Sequence, residues 1–136
     1  MNIIETSEEQ LLQQIQNALT EERMTDDVGI FDIWHTLGNS RYFVAIEDNN
    51  PIGVATLHGY DEPELYKLYV LPSYRNGGVA KQLVKHIIDT LESEKIDDIY
   101  VEMTYNSVEF WNSLKDSINI ESLDLDLKIS IKINRK

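Results

Sequence analysis

Glu64-Leu-Tyr-Lys-Leu-Tyr-Val-Leu-Pro-Ser-Tyr-Arg-Asn-Gly-Gly-Val-Ala-Lys-Gln-Leu-Val84 decides the fold. Leu65 to Leu71 is rich in Leu, Tyr and Val, which suits a β-strand. Pro72 ends that strand, because it has no N–H to give to the ladder. Arg75, Asn76, Gly77 and Gly78 follow. Adjacent glycines permit positive φ and let a ligand approach the backbone with no Cβ in the way. A helix opens directly after them: Ala80, Leu83, Val84, Ile87, Ile88 and Leu91 recur at three- and four-residue steps. A glycine turn that opens a helix leaves free N–H groups at the positive end of the helix dipole, which is a phosphate site.

The turn matches neither common nucleotide fingerprint. Gly78 is not followed by Lys-Ser or Lys-Thr, and no G-x-G-x-x-G is present. What stands here is Val70-x-Pro72-x-x-Arg75-x-x-Gly78-x-Ala80. This resembles the acyl-CoA motif R/Q-x-x-G-x-G/A of the GNAT family of N-acetyltransferases, with the family's V-x-P strand end before it and an amphipathic helix after it.

Composition agrees with one globular unit. The chain has 136 residues, 42% of them hydrophobic, enough for a single core, so residues 1–136 are expected to form one domain. No apolar run reaches the ~18 residues of a membrane span. The N-terminus lacks a basic and then apolar leader. There are no cysteines, which excludes disulfides, thiolate metal sites and a Cys nucleophile and gives a cytoplasmic location by default. His35, His58 and His86 are scattered, so no metal is expected. The formal charge of −12, with 24 acids against 12 bases, argues against nucleic acid and favours cationic ligands such as amines.

Along the chain, Ile3-Ile4 suggests a short strand, and Ser7 to Gln10 has the capping-box form. Leu11, Leu12, Ile15, Ala18 and Leu19 form a helical stripe. Asp26 or Asp27 would cap a second helix through Phe31, Ile33, Trp34 and Leu37, ended by Gly38-Asn39. Tyr42–Glu47 and Ile52–Leu57 read as a hairpin around Asp48 to Pro51, and Ile99, Val101 and Met103 alternate as another strand, parallel to the first. Asn106 to Leu114 reads as a short helix. Leu123 to Ile133 alternates without a break as one long strand, preceded by a short strand at Ile118-Ile120 and a turn at Glu121-Ser122. The class is α+β with a mixed sheet, in the order β-α-α-β-β-β-α-β-α-β-β. A long last strand without an evident closing partner is a candidate for pairing across a homodimer.

The resemblance spans essentially the whole chain and is strongest over residues 41–114. It implies a splay between the fourth and fifth strands that admits the pantetheine arm of acetyl-CoA (coenzyme A). The arm would pair with the backbone of Leu68, Tyr69 and Val70, and the Val70 N–H would polarise the thioester carbonyl. The pyrophosphate would lie on the turn Arg75, Asn76, Gly77, Gly78, Val79, Ala80 and Lys81. The first two helices, with Trp34 and His35, would shape the acceptor pocket. Glu64 matches the glutamate that serves as general base in one branch of the family. The segment Asn106-Ser-Val-Glu-Phe-Trp111-Asn-Ser-Leu114 is similar to the family's N-x-V-E-F-Y-x-x-L. Asn106 fits the asparagine that contacts the cofactor. Trp111 replaces the tyrosine that protonates the departing thiolate, and indole cannot do that. Tyr105 is the substitute acid to consider. Two functions follow: acetyl transfer to a small amine or a protein amino group, or a catalytically silent module that binds CoA or a protein partner.

Overall fold

A computed structural model describes residues 1–34, 39–104, 107–123 and 127–133. The elements are β1 (Asn2–Glu5), α1 (Glu9–Arg23), β2 (Ser40–Glu47), β3 (Asn50–His58), β4 (Glu64–Val70), α2 (Val79–Ser93), β5 (Asp98–Glu102), α3 (Val108–Ser113), β6 (Ile120–Ser122) and β7 (Lys128–Lys132), with a short 3₁₀ turn at Pro72–Tyr74. The seven strands form one mixed sheet in the order β1-β2-β3-β4-β5-β7-β6. The α+β class and the splay expected from the sequence are both present.

The β2–β3 hairpin turns at Asp48 and Asn49, whose φ values are 51° and 67°. Two successive positive φ angles match the right-handed twist of the strands they join. Pro51 lies inside β3, opposite Ile46, rather than in the turn. On one face of the sheet, α1 buries Leu12, Ile15 and Leu19 against Val44, Val54 and Tyr69. On the other, α2 buries Leu83, Val84, Ile87 and Leu91 against Phe43, Leu57, Ile99 and Ile131. These are the helical stripes read from the sequence. The capping box is not formed. Glu8 is the N-cap without a side-chain bond, and its N–H donates to the Thr6 hydroxyl at 3.0 Å.

The second helix expected over residues 26–37 is absent from its described part. After Arg23 the chain runs as turns and coil through Trp34, and residues 35–38 lie outside the described residues. Gly29 has φ of 90°, which a helix cannot hold. The segment's backbone finds partners elsewhere. The Gln16 side chain accepts from Ile33 N–H at 3.0 Å and donates to Phe31 C=O at 3.4 Å. The buried Thr56 hydroxyl donates to Ile33 C=O at 2.7 Å. Side chains of α1 and β3 thus meet the demand that a helical ladder would have met.

The C-terminal part also differs from expectation. Instead of one strand from Leu123 to Ile133, β6 and β7 form a hairpin. Ile120 pairs with Ile131 and Ser122 with Ile129. Leu123 N–H donates to Lys128 C=O at 2.9 Å, so the turn falls after Ser122 rather than at Glu121-Ser122. Leu125 lies outside the described residues. This register puts Ile120 and Ile131 on one face, which explains the change of parity in the sequence. β7 is flanked by β5 and β6, so the strand thought to need a partner across a dimer has both partners within the chain.

Gly53 shows how tightly β3, β4 and α2 meet. A Cβ there would lie 3.2 Å from Tyr69 C=O and 3.4 Å from Leu83 Cδ1 and Val70 Cγ2. Gly53→Val should therefore lower stability by roughly 1–3 kcal/mol through overpacking. Urea unfolding checks this: the midpoint should fall with the slope unchanged.

Candidate active site

The site begins with a missing strand pair. β4 and β5 are parallel, but their ladder has only two rungs, Glu64 with Tyr100 and Leu65 with Val101. Beyond Leu65, β4 carries one extra residue. Thr56 pairs with Lys67 and Leu57 with Leu65, which leaves Tyr66 in a β-bulge. A bulge bends its strand and sharpens the local twist. From there β4 and β5 diverge.

The edge of β4 facing the gap can be assigned from one bond. Leu71 N–H donates to Ile52 C=O in β3 at 2.9 Å. Backbone groups alternate sides along a strand. Tyr69 therefore also faces β3, while Leu68 and Val70 present their N–H and C=O to the gap. Among the described residues no strand pairs with that stretch.

At the top of the gap the chain turns into α2. Asn76 has φ of 66° and Gly78 of 86°. A Cβ on Gly78 would meet nothing within 4 Å, so its surroundings are open space. Gly78 is the N-cap of α2 and makes no side-chain cap bond. The first intrahelical bond is Gln82 N–H to Gly78 C=O, at 3.0 Å. The N–H groups of Val79, Ala80 and Lys81 come before it and have no acceptor in the helix.

Gap and turn open into one cleft of about 630 Å³. Leu68, Tyr69, Val70, Arg75, Asn76, Gly78, Val79, Ala80 and Lys81 line it, as does Trp111 from α3. Gly77 belongs to the turn but does not line the cleft. Trp111 is 4% exposed and packs edge-on against Phe110, with ring centroids 5.0 Å apart. It is a core residue with one side on the cleft. Glu64 is outside the lining, in the closed part of the β4–β5 pair. Trp34 packs on Tyr42 at 6.0 Å and does not line the cleft either. Tyr105, Asn106 and His35 lie outside the described residues.

The α1 region forms a further wall, as the resemblance implied, but through residues other than Trp34. Glu22 from the last turn of α1, followed by Asp27, Val28 and Ile30, faces β4 across the cleft. Glu22 forms a bidentate ion pair with Arg75, with both bonds at 2.7 Å. It also accepts from the Tyr69 hydroxyl at 2.7 Å. Arg75 Nε donates to Val70 C=O at 2.9 Å. Hydrogen bonds from Arg75 hold the Glu22 carboxyl below its ordinary value, against an opposing effect of burial. Burial, with Glu22 adding to it, pushes the Tyr69 phenol up, so it stays protonated. Lower on the same wall, Lys67 donates to Asp32 and to Trp34 C=O, at 3.1 Å for the latter. Residues 1–27 carry seven acids and one arginine, but nothing in that segment singles out Glu22. Its pairing with Arg75 depends on how α1 lies on the sheet, which no local pattern encodes.

The profile described as "Acetyltransferase (GNAT) family" matches residues 8–114, and the chain belongs to this family. No curated protein matches it significantly by sequence. Solved structures with the same fold include Tetrahymena GCN5, at TM-score 0.72 and 13% identity over 98% of this chain and 97% of that one. A GNAT-family acetyltransferase from Staphylococcus aureus Mu50 aligns at TM-score 0.68 and 19% identity, over 98% and 99%. The PaiA N-acetyltransferase of Thermoplasma acidophilum, in complex with coenzyme A, aligns at TM-score 0.62 and 16% identity, over 97% and 98%. Among the described residues no helix is long and apolar enough to cross a membrane, and no cluster of metal-ligating side chains is present.

The ion pair fixes a pH dependence. Glu22 titrates lower in the fold than in the unfolded chain, so its contribution to stability is whole above the ordinary carboxylate value of 4.5 and is lost as the pH falls through the folded value. Glu22→Gln should be less stable than the parent at pH 7, and the gap should narrow toward pH 3. Urea midpoints across that range check the sign; a constant gap would contradict it.

Proposed function

We propose that this protein transfers an acetyl group from acetyl-CoA to an amine. One observation carries the reading: the open N–H groups after Gly78 and the edge of Leu68 and Val70, which β5 does not cover, line the same cleft. Pyrophosphate is two linked anions, and the N-terminus of α2 offers converging N–H donors and a favourable dipole. The Lys81 side chain adds a cation beside them. Pantetheine carries two amides in an extended chain and fits the free edge of β4 as an added strand. Asn106 is assigned a further contact to the cofactor, and Trp111 an apolar one. The Val70 N–H faces the gap and is suited to polarise the thioester carbonyl as negative charge develops on it.

The acceptor enters from the α1 wall. Glu22 and Asp27 line that side, and the whole chain carries a net charge of −12. The net charge favours a cationic amine, small or on a protein. An alkyl ammonium has a pKa near ~10 and must lose a proton before it attacks. Glu64 is the proposed base. Glu64 and Val70 stand at opposite ends of the seven-residue β4, about 20 Å apart along an extended strand. The proton therefore reaches Glu64 through water rather than directly. Tyr105 is the proposed acid for the departing thiolate. Acetyl-CoA as donor and a chain without cysteine suit the cytoplasm.

A second reading has its own support. Trp111 is buried where the family resemblance expects the proton-donating tyrosine, which suits a module that binds CoA without turnover. Both readings need the cofactor site, and Gly78→Glu tests it. That variant puts a side chain and a negative charge in the open space at the phosphate turn, so CoA binding measured by calorimetry should be lost. Unchanged affinity in the folded variant would remove the assignment. Mass spectrometry of the parent with acetyl-CoA and a panel of amines, polyamines included, then separates the two readings: an acetylated amine supports the enzyme, and none supports the module.

Glu64→Gln should lower turnover by ~10²–10⁴ near neutral pH while CoA affinity holds, with partial recovery at higher pH as free amine accumulates. Steady-state rates across pH check this. A variant as fast as the parent assigns the proton to solvent or to another group.

A further inference from the structure

The acyl-CoA motif begins with Arg75, and an arginine beside a phosphate site invites assignment as a phosphate ligand. Its observed bonds point elsewhere. Both terminal nitrogens of Arg75 are on the Glu22 carboxylate at 2.7 Å, and Nε is on Val70 C=O at 2.9 Å. A guanidinium binds carboxylate or phosphate through the same planar fork. Here that fork already holds Glu22. The carboxylate is well shielded, with the Glu22 side chain 10% exposed against 38% for Arg75.

We propose that Glu22 is a positioning residue for the acyl donor: it holds Arg75 as a tether on the end of β4 and the start of the phosphate turn, so that Arg75 orients the donor site without binding phosphate. The inference rests on the acyl-CoA reading of the cleft. Three hydrogen bonds meet at this one carboxylate, one from the Tyr69 hydroxyl and two from Arg75, whose Nε in turn holds the Val70 carbonyl. The side chain of Tyr69, the Val70 carbonyl through Nε, and the first residue of the turn are all fixed relative to α1. Val70 contributes the last backbone groups of the free edge, and Arg75 directly precedes Asn76, Gly77 and Gly78. Strand end and turn are thus set at one angle to each other before any ligand arrives. Preorganisation of this kind lowers the ordering cost of binding. The same tie runs from the acceptor wall to the donor site, because Glu22 lies on α1.

Two substitutions test a tether against a phosphate ligand. A lysine at position 75 keeps the positive charge near the phosphates, but it cannot grip Glu22 bidentately and reach Val70 C=O as well. Glu22→Gln separates them by sign. It loosens a tether, yet it would free Arg75 to bind phosphate. CoA affinity should be measured by calorimetry for the parent, Glu22→Gln, Arg75→Lys and the double variant, at a temperature where near-ultraviolet circular dichroism shows each to be folded. Each single variant is expected to bind CoA roughly tenfold more weakly, and the double variant no more weakly than either, because the residues act as one unit. The inference is overturned if Glu22→Gln binds as tightly as the parent or tighter, if Arg75→Lys keeps parental affinity, or if the two losses add. Should Glu22→Gln not fold, Arg75→Lys alone decides by the same criterion. A parent that binds no CoA removes the acyl-CoA reading and this inference with it. A parent that binds, with Glu22→Gln unaffected, removes only the inference.

Discussion

The cleft in this molecule depends on a ladder that stops early. β4 and β5 share two rungs, and then the Tyr66 bulge turns β4 away. A buried strand edge without partners is costly, because each unmet N–H or C=O loses its bond to water. This edge opens onto a cleft, where water or an extended ligand can satisfy it. The departure is stable because the strands are secured elsewhere. β3 holds the far side of β4 along its length, and β7 holds β5 over five rungs. The gap is therefore a fixed feature of the sheet and needs no ligand to prop it open.

The two faces of the sheet divide the labour. Crossing from β4 to β5, α2 provides both the larger core and the open helix end, so the same turn that starts the core also leaves N–H groups facing the cleft. On the other face, α1 carries the smaller core and ends at the cleft wall with Glu22. The bulge allocates β4 side chains between these faces. Leu65, Leu68 and Val70 pack toward α2, whereas Tyr69 and Leu71 pack toward α1. Without the extra residue, alternation would place Leu65 and Val70 on opposite faces.

Much of this was legible from local pattern. The strand, the glycine turn and the α2 stripe lie within one continuous stretch, and each signal spans only a few residues. Information that depends on distant partners was not legible. Phe31, Ile33 and Trp34 read as a helix because their spacing fits one, but Gln16 and Thr56 capture the backbone there and Gly29 breaks the pattern. The short strand and turn before the last strand were legible, but the place of the β6–β7 turn was concealed because the residues around it keep the alternation of a strand. The Tyr66 bulge leaves no mark in composition, since tyrosine is an ordinary strand residue. Gly78 and Trp111, both singled out by local motif, line the cleft, whereas the bidentate grip of Glu22 on Arg75 joins residues brought together only by the docking of α1.

The fastening of the segment between α1 and β2 bears on how such a protein diversifies. Its described part is held by side chains from outside it: Gln16 on α1, Thr56 on β3 and Lys67 on β4. No rung of the sheet passes through residues 24–34. Insertions or exchanges there disturb three anchor points and leave the scaffold intact, as expected of surface connections on a rigid frame. One wall of the cleft can thus change without disturbing the other, which is built into β4 and α2. In such a frame the shape of one wall is separable from the stability of the sheet.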